Sequence, residues 1–584
     1  MELSKLTFLS FFIFFATFFN SSAQDFLVFN QQRTLSYDSV IIEYQKLDKM
    51  YKQAKLIEYG YTDVGKPLHL FVISSDGEFD PVKIKKKNRR IMLINNGIHS
   101  GEPEGVDASL WLAADLLSNK DDKMKLLDST VLCIIPIYNI GGALMRSSYN
   151  RANQIFPLEH GFRGNARNLD LNRDFVKADS YNARSFAQIF HAWNPDVFVD
   201  THTTDGSEHQ YVITLIHSNP RFLSEPLGNF MGDVLMPEFH NKMTKIGFEM
   251  APYVQTKDWV VDDPSTGIFG FYDSPKYSTG YATLFNTISF LTETHSYKTY
   301  DLRVKATYAF LEQLLGLVKK YHFPIGQYRA AANKKVSNQS VFEINFETDT
   351  TQVDSIWFKG YEALWKNSSL TGAQTFGYDL EKPYNKKIPF YNTLVTTAQI
   401  EAPDYYIVPF AWHEVIERLR LNNVKFEVIQ RDTVCMAEVY FIDKFEFSNY
   451  QTGGHRPINN IELRTEKRWM KIYKGDIKIP VNQDANKYIV QMLEPKGADS
   501  FFQWNFFDEI LERREYFSPY GFEPRAVEYL KNHPELKEKF DQKRKIDPEF
   551  ANNHYIQLKF IYDNSPFAEP SFMRYPVLRI MNGK

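Results

Sequence analysis

Between about residue 55 and residue 320 the chain alternates short apolar runs with longer amphipathic ones, and this alternation constrains the fold more than any other feature. Residues 68–74 (LHLFVIS), 90–94 (RIMLI), 130–137 (TVLCIIPI), 197–201 (VFVDT), 210–215 (QYVITL) and 287–292 (TISFLT) are short and rich in Ile, Val and Leu, and read as buried strands. Residues 104–117, 180–193 and 305–321 carry apolar positions at helical spacing. Strands interleaved with helices predict an α/β fold: a mixed, mostly parallel sheet with helices on both faces. Sheets of this kind bind ligands in the loops beyond their strand ends, so chemistry is expected there.

After residue 324 the texture changes. Residues 341–346 (VFEINF), 424–429 (VKFEVI) and 437–447 (AEVYFIDKFEF) alternate as exposed strands do, residues 412–421 and 507–513 read as helices, and the charged stretch 534–545 reads as a solvated helix face. The expected organisation is an α/β domain over residues 24–330 and a smaller β-rich α+β accessory domain over residues 331–584. Residues 1–23 form a predicted signal peptide: Lys5, an apolar run over residues 6–19, then Ser21, Ser22 and Ala23 ahead of Gln24 as the mature start. The run is shorter than the ~20 residues a bilayer core requires. The mature chain is therefore expected outside the cytoplasm, secreted or periplasmic, with no transmembrane segment.

Charge and cysteine content narrow the function. Lys plus Arg number 68 against 71 Asp plus Glu, a net charge of -3, which argues against a nucleic-acid partner. Of the two cysteines, Cys133 lies inside an apolar strand and reads as a buried thiol, leaving no Cys cluster. A metal site in this chain has to be built from His and carboxylates.

Such a set is present. His99 and Glu102, at i and i+3, follow the strand 90–94 and open the helix 104–117. With 14 His in the chain, about one His-x-x-Glu arises by chance. His202 follows the strand 197–201 and opens a polar loop, and Glu293 ends the apolar strand 287–292, where an unpaired carboxylate costs several kcal/mol. Three strand ends thus carry His and Glu. Three protein ligands with an open fourth position is the pattern of a catalytic zinc. Between them, Arg163-Gly164-Asn165-Ala166-Arg167-Asn168-Leu169-Asp170-Leu171-Asn172-Arg173 is either a solvent-facing charge cluster or a carboxylate clamp, since guanidinium matches carboxylate bidentately.

Over residues 40 to 322 these motifs, in this order, resemble the zinc carboxypeptidases related to carboxypeptidase A, the M14 metallopeptidases. The resemblance implies one Zn²⁺ per chain on His99, Glu102 and His202, with Glu293 as general base. It also implies that Asp170, in Asp170-Leu171-Asn172-Arg173, orients His99, while Asn172 and Arg173 grip a substrate's terminal carboxylate. Arg163 fits the family's oxyanion-stabilising arginine, with Arg167 the competing candidate. The expected activity is hydrolysis of the C-terminal bond of a peptide with a free carboxylate. Alternatives on the same fold are an amidase or endopeptidase acting on cell-wall peptides or acyl-amino acids, and an inactive binding protein. A further alternative makes the C-terminal part a carbohydrate- or surface-binding module. Two departures stand out: Asn139-Ile140-Gly141-Gly142 replaces the family's Asn-Pro-Asp-Gly, and the tyrosine that closes over substrate is one of Tyr272, Tyr277 and Tyr281.

Overall fold

The computed structural model describes residues 27–258 and 260–581. The predicted signal peptide, residues 1–23, lies outside them. Nine strands come first: β1 (Ala54–Tyr61), β2 (Pro67–Ile73), β3 (Arg90–Asn95), β4 (Thr130–Ile135), β5 (Val197–Thr204), β6 (Ile213–His217), β7 (Met250–Pro252), the two-residue β8 (Ile268–Phe269) and β9 (Ile288–His295). All but β8 join one eight-stranded sheet in the order β1-β2-β4-β3-β5-β9-β6-β7. The central run β4-β3-β5-β9 is parallel, while β1–β2, β2–β4 and β9–β6 pair antiparallel and the edge pair β6–β7 is parallel. The mixed sheet read from the sequence is the one observed.

Alternate residues of the buried strands point to opposite sides, as the two-residue strand period requires. Met92 and Ile94 enter a core with the helices Tyr37–Met50, Glu104–Leu117 and Tyr300–Lys320. Ile91 and Leu93 enter the opposite core, with the helix Tyr181–Trp193. Ser180 caps that helix by accepting the Ala183 N–H, the contact its type favours at an N-cap. The second core does not stop at the N-terminal half. Tyr406, Val415, Ile489 and Phe502 belong to it, so the C-terminal residues help cover this face of the sheet. The helix His322–Ser337 runs unbroken through residue 330.

Beyond residue 340 the structure is β-rich and divided among several sheets. The strands β10 (Val341–Thr348) and β13 (Leu394–Glu401) pair with each other, and β11 (Asp354–Asn367) forms a long hairpin with β12 (Gln374–Tyr391). A six-stranded sheet contains β14 (Tyr405–Val408), β15 (Glu427–Val428), β16 (Thr433–Phe447), β17 (Ile458–Ile472), β18 (Ile477–Pro480) and β19 (Leu578–Ile580). The helix expected over 412–421 is present as His413–Leu421, and the charged stretch lies on the helix Pro534–Ile546.

Four local readings change. The strand expected over 424–429 shrinks to β15, because the Val424 N–H is drawn back to Leu419 O to finish the preceding helix. The helix expected over 507–513 is a short 3-10 turn, Asp508–Leu511, beside the buried rings of Phe501, Phe502 and Phe507. β5 and β9 both run further than their apolar runs. Their register continues from Val197↔Ile288 to Thr204↔His295, held at its polar end by a Thr203–Thr294 hydroxyl contact of 2.8 Å. His202 and Glu293 are consequently strand residues, not residues of the loops that follow.

Candidate active site

The register of three parallel strands brings the site together. Asp200 and His202 lie on β5, with His202 directly opposite Glu293 on β9, while β3, on the other side of β5, delivers the chain to His99 and Glu102. The helix that starts at Glu104 approaches β5 closely. A Cβ on Gly105 would stand 1.9 Å from Thr201 Oγ1, so glycine is what allows Glu102 to reach His202. The loop holding His99 is tied down by Asn139. Its side chain donates to Ile98 O and Arg163 O and caps the turn at Gly142, while Ser100 Oγ donates to Asn139 O at 2.6 Å. Glycine is also required at position 142, where a Cβ would lie 2.4 Å from Phe162 O. Asn139-Ile140-Gly141-Gly142 therefore builds a specific joint between the His99 and Arg163 loops.

His99, Glu102 and His202 are buried, and their ligand atoms lie within 4.8 Å of one another. Among the described residues they are the one group of three His, Cys, Asp or Glu side chains so placed. His99 Nδ1 is 3.2 Å from one oxygen of Glu102, and His202 Nδ1 is 3.2 Å from the other. The opposite ring nitrogens each meet a carboxylate: His99 Nε2 is 3.0 Å from Asp170 Oδ1, and His202 Nε2 is 3.1 Å from Asp200 Oδ2. With protons kept on the two Nε2 atoms, a cation bound beside Glu102 would find both Nδ1 lone pairs free to ligate it. Two imidazole nitrogens and a carboxylate, with carboxylate partners behind the imidazoles, fit Zn²⁺.

The charges around this set are strongly coupled. Burial opposes ionisation of Glu102, yet the charges of His99 and Arg151 overcome it and hold the carboxyl well below its usual range. Burial likewise opposes protonation of His202, but Asp200 and Glu102 raise it well above the ordinary histidine value. Burial opposes ionisation of Asp170, and His99 and Arg163 outweigh it, so its carboxyl is lowered. Glu293 goes the other way: burial, with Glu102 nearby, pushes it up to about 8. Its Oε2 has no hydrogen-bond partner.

A cavity of about 230 Å³ opens over the triad, lined by Glu293, Arg163, Asn172 and Arg173 among others. Arg163 donates to Asp170 Oδ2 through Nε and Nη2, at 3.2 and 2.8 Å, and its Nη1 lies 3.4 Å from His99 Nδ1. The competing Arg167 is turned away to the Asp179 carbonyl. Asn172 is buried with its Oδ1 unpartnered, and Arg173 stacks over the Tyr277 ring at 4.4 Å. Of the three tyrosines, Tyr277 lines the cavity. Tyr281 is fully buried and donates to Asn422 Oδ1 at 2.6 Å, and Tyr272 packs on Phe222 and Phe346.

Three lining or supporting residues were missed in the sequence. Arg151, in an irregular loop, donates to Glu102 Oε1 at 2.5 Å through space left by Gly101, where a Cβ would meet Arg151 Cδ at 2.6 Å. Asp200, two residues before His202, is the imidazole's second carboxylate partner, and a reading of paired strand residues would have found it. Tyr253 follows β7 and reaches the same cavity.

Residues 42–227 match the sequence model of a family described as Peptidase_M14, zinc carboxypeptidase. Among curated relatives, carboxypeptidase 2 of Trichophyton tonsurans is 19% identical over 487 residues, covering 80% of this chain and 81% of that protein. Carboxypeptidase 2 of Trichophyton equinum is 20% identical over 428 residues, covering 70% and 72%. Among solved structures, a metallo-carboxypeptidase from Burkholderia cenocepacia aligns at a TM-score of 0.37 with 17% identity, covering 49% of this chain and 70% of that one. Carboxypeptidase A from Helicoverpa armigera aligns at 0.36 with 15% identity, covering 51% and 74%.

Proposed function

We propose that this chain, a metallopeptidase of the zinc carboxypeptidase family, removes single residues from the C-termini of peptides outside the cytoplasm. The observation that carries the reading is the paired arrangement of His99 and His202. Each has its far nitrogen on an aspartate and its near nitrogen beside Glu102, with Glu293, its Oε2 unpartnered, in the same cavity.

His99, Glu102 and His202 would hold one Zn²⁺, which would supply a Lewis acid able to polarise a carbonyl and acidify a water. Asp170 and Asp200 fix the imidazole tautomers. Glu293 takes a proton from the attacking water as its oxygen joins the carbonyl carbon. It returns that proton to the nitrogen as the C–N bond breaks, leaving a carboxylate and a free amine. A carboxyl raised by burial suits both halves of that transfer. Arg163 offsets the negative charge developing on the carbonyl oxygen. Asn172, with its unpartnered Oδ1, and Arg173 hold the terminal carboxylate and set the register to one residue. Tyr277 closes over the bound residue.

The test uses the full mature chain loaded with zinc and peptides with free or amidated C-termini. Free peptides lose one residue at a time, and amidation slows release by at least about tenfold. Equal rates on the two remove the role of Arg173 and leave an amidase or endopeptidase. Glu293→Gln keeps its zinc and loses roughly 10²–10⁴-fold in rate; unchanged hydrolysis removes the general base.

The division into a peptidase unit over 24–330 and an accessory unit over 331–584 belongs to the same proposal. Because residues on both sides of 330 share a core, residues 24–330 expressed alone are expected to aggregate. Export by residues 1–23 is checked by the N-terminal sequence of the mature protein, expected to begin at Gln24. Among the described residues no helix is long and apolar enough to cross a membrane.

A further inference from the structure

The wall that carries the carboxylate clamp has open space on both sides. Arg173, Phe271 and Tyr277 line the cavity over the triad, and they also line a second cavity of about 660 Å³ together with C-terminal residues such as Asn459 and Trp504. A partition between two cavities lacks the close packing that fixes side chains in a core. The Arg173 guanidinium rests on the Tyr277 ring at 4.4 Å and donates to Asn172 O at 2.9 Å. Tyr277 in turn meets Phe271 edge-on at 5.4 Å.

A tie from the C-terminal half holds this wall. Asp499 is 6% exposed, and its two carboxylate oxygens accept from the Lys276 N–H at 3.0 Å and from Lys276 Nζ at 3.2 Å. Lys276 is the residue before Tyr277, and its Nζ lies 5.1 Å over that ring. Asp499 has a φ of 59°, a left-handed backbone that glycine takes freely and that aspartate otherwise offsets with a local hydrogen bond. Here the carboxylate instead reaches a residue 223 positions away. Its own loop is anchored: Asp499 N–H donates to Gln503 Oε1, Ala498 N–H to Ile344 O, and Gln491 Nε2 to Ala498 O. A buried carboxylate that accepts from a backbone N–H and an ammonium at once makes a strong and directional hold.

We propose that Asp499 is a positioning residue for the carboxylate clamp: by holding Lys276, it sets Tyr277 against Arg173, and the C-terminal half is thereby part of the working substrate site. This rests on the carboxypeptidase reading, in which Asn172 and Arg173 grip the terminal carboxylate.

The experiment measures zinc-loaded full-length protein on one peptide with a free and with an amidated C-terminus. The clamp grips the carboxylate in ground and transition states alike. Asp499→Ala is therefore expected to raise KM for the free peptide at least about fivefold while kcat stays within about twofold. The amidated peptide offers the clamp no carboxylate and keeps its kcat/KM. Should the alanine variant not fold, Lys276→Met breaks the same tie from its more exposed side, with KM expected to rise about threefold on the free peptide alone. An unchanged KM in the folded variant, or a loss equal on both peptides, overturns the positioning role while leaving single-residue release intact. Equal wild-type rates on the two peptides overturn the clamp itself, and this proposal with it.

Discussion

The strands of the eight-stranded sheet and those beyond residue 340 solve opposite problems. Every residue of β3 and β4 is buried, whereas β11 and β17 expose most of theirs, with Trp357 and Trp469 at 64% and 70%. A strand covered on both faces has no room for unpaired polar groups along its length, so its chemistry concentrates at its ends. His99, Glu102, His202 and Glu293 stand at the C-terminal ends of three adjacent strands. An exposed hairpin distributes polar groups along its faces instead. On β16 and β17, Arg464 and Arg468 both lie 4.7 Å over the Phe441 ring, a contact that stabilises pairing without forming a cavity. Burial on both faces focuses function; exposure disperses it.

The sharpest break of this contrast is at Glu102, the one acid that touches both imidazoles. Glu102→Gln removes the charge that its neighbours hold ionised. Zinc content, measured by atomic absorption, is expected to fall below one per chain, and peptide hydrolysis to drop on the order of 10³-fold. A variant with full zinc and full rate would show that the strand ends do not form the reactive centre. No charge substitution on the β16–β17 hairpin, Lys444→Ala for instance, is expected to change either quantity.

The same contrast explains what could be read in advance. The buried strands announce themselves by composition, so the order of strands and helices was legible from residues such as 90–94, 197–201 and 287–292, and with it the strand ends where His99, Glu102, His202 and Glu293 gather; the roles expected of them came from the resemblance of the motifs to a known family. Strand length was not. β5 and β9 continue through Thr-rich polar segments whose partners are each other, and a single chain of letters does not display cross-strand pairing. Arg151 was illegible for a related reason. Its position beside Glu102 depends on a gap at Gly101, far from it in the chain. Tyr253 likewise occupies a loop without periodicity. Past residue 340 the hairpins alternate as strands should, but the turn at Val424 and the aromatic cluster near Phe507 obey tertiary contacts over local pattern.

Close approach in the core supplies the next largest effect. Gly105→Ala drives a Cβ into Thr201 Oγ1 and Asn96 Oδ1, and the helix or β5 has to move. A loss of about 3 kcal/mol, the upper end for overpacking, is expected, seen as a lower Tm and weaker zinc binding together. An unchanged Tm would mean the helix start is looser than its packing indicates.

Somewhat smaller is the acid limb of stability. At the N-terminal end of β5, burial opposes ionisation of Asp196, but Lys85, Arg329 and Arg90 outweigh it and depress its carboxyl from 3.8 to about 2. A depressed folded-state value makes the unfolded chain bind the proton first. The contribution is therefore fully present above about pH 4 and disappears as pH falls through 2, on the order of 2 kcal/mol in all. Asp196→Asn lowers stability at pH 7 and flattens the slope of unfolding free energy between pH 4 and 2. Should the slope persist in the variant, another carboxylate governs that limb. Behind the His99–Glu102–His202 triad, Asp200→Asn is expected to leave the fold in place and weaken zinc binding by roughly 10–100-fold, read by chelator competition.

The smallest effect is also the one whose sign differs between the two regions. Gly377 lies opposite Leu364 in the β11–β12 hairpin, and a Cβ added there would find nothing closer than Leu364 O at 3.8 Å. Its backbone is already extended, so alanine fits the folded state and restricts only the unfolded one. Gly377→Ala is expected to raise stability by about 0.5 kcal/mol, against the loss at Gly105, with no change in zinc content. A fall in Tm comparable to that of Gly105→Ala would mean the hairpin face is packed against something, and the division between a focused sheet and a dispersed one would no longer describe this chain.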